Sequence, residues 1–211
     1  MDWQAMVLLG GFHGINPGMG WLFAVALGMQ QGSARGVWRA LPPIALGHAV
    51  AVGLVLMIVW VAQIMVPLEA LTVLVASLLV GLGLYRLWRH RHPRFGGMQV
   101  SFRDLTVWSF LMASAHGAGF MVLPFVMPTP VTLSAASHDH AGHIASASTN
   151  LGGLSAIAVS IHTISYFTVM ALIAWVVYRK LGLSLLRTAW VNMDWVWAGA
   201  LVATGVVVLL K

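Results

Sequence analysis

Apolar residues run along the chain in six blocks, near Gln4–Met29, Trp38–Val66, Leu71–Trp88, Leu105–Met127, Ser155–Tyr178 and Trp190–Leu210. A bilayer core about 30 Å thick takes about 20 residues of helix, so the blocks predict six spans with short connections. The second block opens with Pro42 and Pro43, which the first turns of a helix tolerate. The fourth runs into Pro124, Pro128 and Pro130, where a helix cannot continue regularly. The ten tryptophans fall mostly near block ends, as an interfacial belt does.

Composition agrees with the pattern. Hydrophobic residues make up 60% of the chain and charged ones 8%, against about a quarter charged in soluble domains. No soluble domain is left over, so the reading is an all-α integral membrane protein with a single membrane domain over 1–211. The start, Met1-Asp2-Trp3-Gln4, has no basic region of the kind a signal peptide carries, so the first block is expected to stay as a span. The absence of cysteine excludes disulfides, thiolate ligands, iron–sulfur clusters and thiol relays.

Charge adds an orientation. The loops after blocks one, three and five hold Arg35 and Arg39, then Arg86, Arg89, Arg91, Arg94 and Arg103, then Arg179, Lys180 and Arg187. That is 10 of the 11 lysines and arginines, and the alternate loops hold none. The net charge of +6 is thus a topology signal rather than a nucleic-acid footprint. Both termini are expected outside the cytoplasm, in a cell (inner) membrane crossed several times.

Three spans per half make the halves run in opposite senses, the arrangement of an inverted repeat. Repeat one covers about 1–95 and repeat two about 104–211. Blocks one and four both contain His-Gly, at His13-Gly14 and His116-Gly117, and blocks two and five contain His48 and His162. Blocks three and six share a short match, Leu74-Val75-Ala76-Ser77 with Leu201-Val202-Ala203-Thr204.

One stretch departs from lipid-filling sequence: Gly10-Gly11-Phe12-His13-Gly14-Ile15-Asn16-Pro17-Gly18-Met19-Gly20-Trp21. Pro17 should break the helix here, and loosened backbone at membrane depth survives only inside protein or along a wet cavity. His13, His48, His116 and His162 all fall in the central part of their blocks. Ionisable groups at that depth usually turn inward and serve function, although each histidine alone would serve equally as polar glue between helices.

Four neutral imidazoles suit divalent zinc, nickel, cobalt or copper. The five acidic residues, Asp2, Glu69, Asp104, Asp139 and Asp194, lie away from the block centres, which disfavours a carboxylate relay or a hard-cation site. Asn16 is three residues from His13 and shares its face. Met19, Thr163, Ser165 and Tyr166 are further candidates for the substrate path, with packing or bonding to helix carbonyls as their plainer role. His138, Asp139, His140 and His143 form His-Asp-His-Ala-Gly-His in the long outer loop, readable as a metal collector or as an uncommitted polar loop.

The run Gly11-Phe12-His13-Gly14-Ile15-Asn16-Pro17-Gly18, with His48 in the second block, resembles the first-helix motif of the nickel/cobalt efflux permeases, small six-span transporters of the lysine-exporter superfamily. The resemblance implies a metal exporter with ligands at His13 and His48. Where the nickel family often has another histidine after proline-glycine, this chain has Met19.

Taken together, these features predict a transporter, rather than an enzyme, moving a divalent transition-metal ion as substrate or bound ion past His13, His48, His116 and His162. A histidine-ligated haem or metal redox protein and an exporter of a small anion are the alternatives. The partners implied are the lipid bilayer and the ion, with no nucleic acid; a homo-oligomer is compatible with all three readings.

Overall fold

The computed structural model describes residues 3–62, 66–88, 101–126, 142–181 and 193–210. The chain forms α1 (Trp3–Ile15), a 3-10 turn (Pro17–Met19), α2 (Trp21–Gln30), α3 (Ala34–Ala62), α4 (Leu68–Trp88), α5 (Phe102–Ala115), α6 (Ala118–Val126), α7 (Gly142–Val176, continued by a π-turn over Val177–Leu181) and α8 (Met193–Leu209). Among the described residues there is no strand. Helix α3 and the Ala156–Lys180 part of α7 are each long and apolar enough to cross a bilayer. Helices α5 and α6 together make a third such length, bent by 60° at their junction. The protein is an all-helical membrane protein.

The first block breaks where Pro17 requires it. Asn16 leaves the helix with extended backbone, and its side chain accepts a hydrogen bond from Gly18 N at 2.9 Å. Pro17 opens the 3-10 turn, and Gly20, at φ +132°, turns the chain into α2. A side chain at Gly20 would also run into Ile44.

The fourth block breaks before Pro124, at His116-Gly117, while Pro128 and Pro130 lie outside the described residues. The amides of His116 and Gly117 close back onto Met112 O and Ser114 O at 2.9 and 3.0 Å. Gly117 takes φ +68°, a left-handed conformation that only glycine adopts freely, and this ends α5. Pro124 sits inside α6. Pro42 and Pro43 likewise lie inside α3, because that helix starts at Ala34, earlier than the apolar pattern indicates. Each proline costs one backbone hydrogen bond without stopping the helix. At its other end α5 starts with a capping box: Ser101 Oγ accepts from Asp104 N at 3.2 Å, and Asp104 accepts from Ser101 N at 2.9 Å.

The three most extensive packings pair α4 with α8, α3 with α5 and α1 with α7. Every one joins the first half of the chain to the second. Glycine makes each approach possible. A Cβ on Gly47 of α3 would meet Ser109 Cβ at 2.9 Å, and one on Gly14 of α1 would meet Tyr166 O at 2.7 Å.

In the α4–α8 seam, a Cβ on Gly83 would come within 3.0 Å of Ala198 O, and one on Gly205 within 3.0 Å of Ala76 O. The facing positions Ala76, Leu79, Val80 and Gly83 recur as Ala198, Leu201, Val202 and Gly205, each 122 positions later (76 to 198, 83 to 205). The spacing i, i+3, i+4, i+7 is one helix face. The offset of these facing positions, 122, differs from the 127 of the Leu74/Leu201 sequence match. Beyond their mutual seam, α4 and α8 touch the rest chiefly through α6.

Candidate functional site

Helix α1 lies so close to α7 at Gly10 and Gly14 that a side chain at either would strike the His162 or Tyr166 backbone. This brings His13 inward, fully buried. Its Nδ1 donates to Leu9 O, one turn back, at 2.7 Å. A carbonyl only accepts, so the proton is on Nδ1 and Nε2 keeps its lone pair. Trp21 Nε1 donates to Ile15 O at 2.9 Å, tying down the last carbonyl before the break.

His48 of α3 and His162 of α7 are also fully buried. Their Nε2 atoms are 3.2 Å apart and their rings are stacked at 14°. The His13 ring stands edge-on to both, with centroids 5.4 Å from His48 and 5.0 Å from His162. Three imidazoles from three helices thus form one buried cluster. Tyr166, one turn after His162, stacks on a face of His48 at 4.0 Å between centroids. Its hydroxyl donates to Met19 O, in the broken part of the first block, at 2.5 Å.

His116 is buried at the C-terminal cap of α5, its Nδ1 donating to Met112 O at 2.7 Å. It repeats the local arrangement of His13. Met19 is buried in the core and offers its carbonyl to Tyr166. Ser165 Oγ donates to Val7 O at 2.7 Å and so joins α7 to α1. The Thr163 hydroxyl is buried and makes no hydrogen bond. Asn16 is buried at the break. Of the outer-loop cluster, His143 falls in the first turn of α7, while His138, Asp139 and His140 lie outside the described residues.

Sequence reasoning missed Ser109. It is buried on α5 and donates to Ile44 O of α3 at 2.6 Å, beside the Tyr166 hydroxyl. The signal was a small polar residue in mid-span, which more often bonds within its own helix.

The two carboxylates with described side chains, Glu69 and Asp104, are exposed. Two imidazole nitrogens on a tetrahedral ion at about 2.0–2.1 Å stand about 3.3 Å apart, close to the 3.2 Å between His48 and His162. Among the described residues, however, no group of three or more histidine, aspartate or glutamate side chains is already arranged as a metal site. A haem between His48 and His162 does not fit, because their direct contact leaves no gap for a macrocycle. No family model, curated protein or solved structure matches the chain.

Proposed function

We propose that the chain is a six-span transporter of the cell membrane that carries a divalent transition-metal ion past His13, His48 and His162, with His116 adjoining. The observation that carries this reading is the buried meeting of three imidazoles from three helices, two of them separated by the edge of a tetrahedral coordination shell. Three nitrogen ligands are complete once the His13 ring shifts toward the His48–His162 edge and the proton between the two Nε2 atoms has left it. Neutral ligands hold a dication loosely enough to release it, which suits a cargo.

The reading takes the halves as inverted repeats with both termini outside the cytoplasm. Three features support it: a helix broken just after histidine in each half, the meeting of His48 with His162, and the recurring face of the α4–α8 seam. Whole-repeat rocking does not suit this packing, since it would disrupt all three of the most extensive helix seams at once. The two breaks, where Gly20 and Gly117 hold positive φ, are better hinges. Tilting of α2 and α6 about them would open the cluster to one side or the other.

Proteoliposomes holding a metal-sensitive dye, challenged with Co(II), Ni(II) or Zn(II), test the proposal. Flux is expected in the wild type and lost in His13→Ala, His48→Ala and His162→Ala protein that remains folded. Normal flux in all the histidine variants would sink it, as would flux of an anion with no metal flux.

A further inference from the structure

The four membrane histidines differ in how their Nδ1 atoms are held. Those of His13 and His116 donate to the carbonyl four residues back, both at 2.7 Å. The same position for His48 is Ile44 O, and that oxygen accepts from Ser109 Oγ at 2.6 Å. Among the described residues, Nδ1 of His48 has no hydrogen-bond partner.

A buried N–H without an acceptor costs more than a buried lone pair without a donor. His48 therefore carries its proton on Nε2, the only ring nitrogen with a partner, and donates it to His162 Nε2. His162 then carries its own proton on Nδ1. That atom makes no hydrogen bond of good geometry, but the Met6 carbonyl lies beside the ring to receive it. His13 so keeps a lone pair at Nε2, the Nε2 lone pair of His162 accepts from His48, and His48 presents a proton.

We infer that Ser109 is a positioning residue that sets the tautomer of His48 by occupying the Ile44 carbonyl. With Ser109 in place, His48 is a hydrogen-bond donor inside the cluster and not a ligand. Once the serine hydroxyl turns away from Ile44, toward the adjacent Tyr166 oxygen, the freed carbonyl accepts Nδ1–H of His48. The proton then resides on Nδ1, Nε2 gains its lone pair, and His48 has the geometry of His13 and His116. Charge does not change, since one ring proton has moved from one nitrogen to the other through the neutral ring's tautomeric exchange. Helix α5 thereby decides, through one hydroxyl, whether the third nitrogen of the site is available. The inference builds on the metal reading for its purpose but not for its test.

Nitrogen-15 NMR of histidine-labelled protein distinguishes the two ring nitrogens, with His48 assigned by comparison with His48→Gln. In the wild type, His48 is expected as the Nε2–H tautomer and His13 and His116 as Nδ1–H. In Ser109→Ala, His48 is expected to switch to Nδ1–H with the other two unchanged. Ser109→Cys fills the same space with a weak donor and is expected to give the same switch should the alanine variant fail to fold. An unchanged His48 tautomer in either folded variant overturns the inference, because a serine that only packs would leave the ring signals alone.

Co(II) titration followed by visible absorption then separates the two readings. Ser109→Ala is expected to bind Co(II) about tenfold more tightly, the scale on which groups behind a ligand tune a metal site. A tautomer switch with Co(II) binding to neither protein upholds the role of Ser109 and overturns the metal reading.

Discussion

Gly14→Ala tests the seam that carries His13. A Cβ at this position would lie 2.7 Å from Tyr166 O, 2.9 Å from Val169 Cβ and 3.0 Å from Met170 N. Two of the three are backbone atoms of α7, so neither helix can yield by rotating a side chain. To restore a separation of about 3.5 Å for the added carbon, α1 must retreat by several tenths of an ångström. Overpacking of this kind costs about 1–3 kcal/mol, while replacing a mid-helix glycine by alanine returns about 1 kcal/mol of helix propensity. The net expectation is a loss of about 0–2 kcal/mol.

Gly81→Ala is the internal control. Its Cβ would meet nothing within 4 Å, so only the propensity gain of up to about 1 kcal/mol remains. Denaturation of the two variants in mixed micelles, followed by tryptophan fluorescence, should place Gly14→Ala below Gly81→Ala by about 1–3 kcal/mol. Co(II) affinity should fall in Gly14→Ala alone, because His13 moves with its helix. Equal stability of the two variants would refute the reasoning that backbone contact at Gly14 fixes the cluster.

Two further outcomes follow from the breaks and caps. Gly117→Ala forces an L-residue to φ +68°, at about 1–2 kcal/mol; since the Cβ would otherwise meet only the end of Leu201, proteoliposome flux should drop while Co(II) affinity holds, and the reverse pattern would remove the hinge role. Hydrogen bonds from Ser101 hold the Asp104 carboxyl below its ordinary value of 3.8, so its ionised form favours the cap. That contribution is present above pH 3.8 and is lost as pH falls through the lowered value; hydrogen exchange at the α5 N-terminus should show an acid limb in the wild type that Asp104→Asn lacks.

The legible parts of the sequence were those set by local chemistry. Pro17 announced the first break because a proline nitrogen has no proton to give, and the apolar blocks announced the helices. The second break was hidden in Gly117, since a glycine inside an apolar run is usually just a weak spot in a continuous helix. Pro124 drew attention away from it. The four histidines pointed to a shared interior, and three of them share ring contacts. The packing of α4 on α8 was not legible, because apolar runs such as Leu74-Val75-Ala76-Ser77 and Leu201-Val202-Ala203-Thr204 carry no information on which faces touch. Ser109 stayed invisible for a related reason: its partner is a carbonyl 65 positions away.

The closest partner of α1 is a helix synthesised very late. The bond from Ser165 to Val7 spans 158 positions, and each of the three principal seams waits for the second half of the chain. A nascent protein that has emerged only through α4 has its α2–α3 packing but none of the three principal seams, so Gly14, Gly47 and Gly83, and with them His13 and His48, lack their facing helices. Chains truncated before Ser165 are therefore expected to be cleared by quality control rather than to accumulate as half-sized bundles, which pulse-chase of the truncated chains checks.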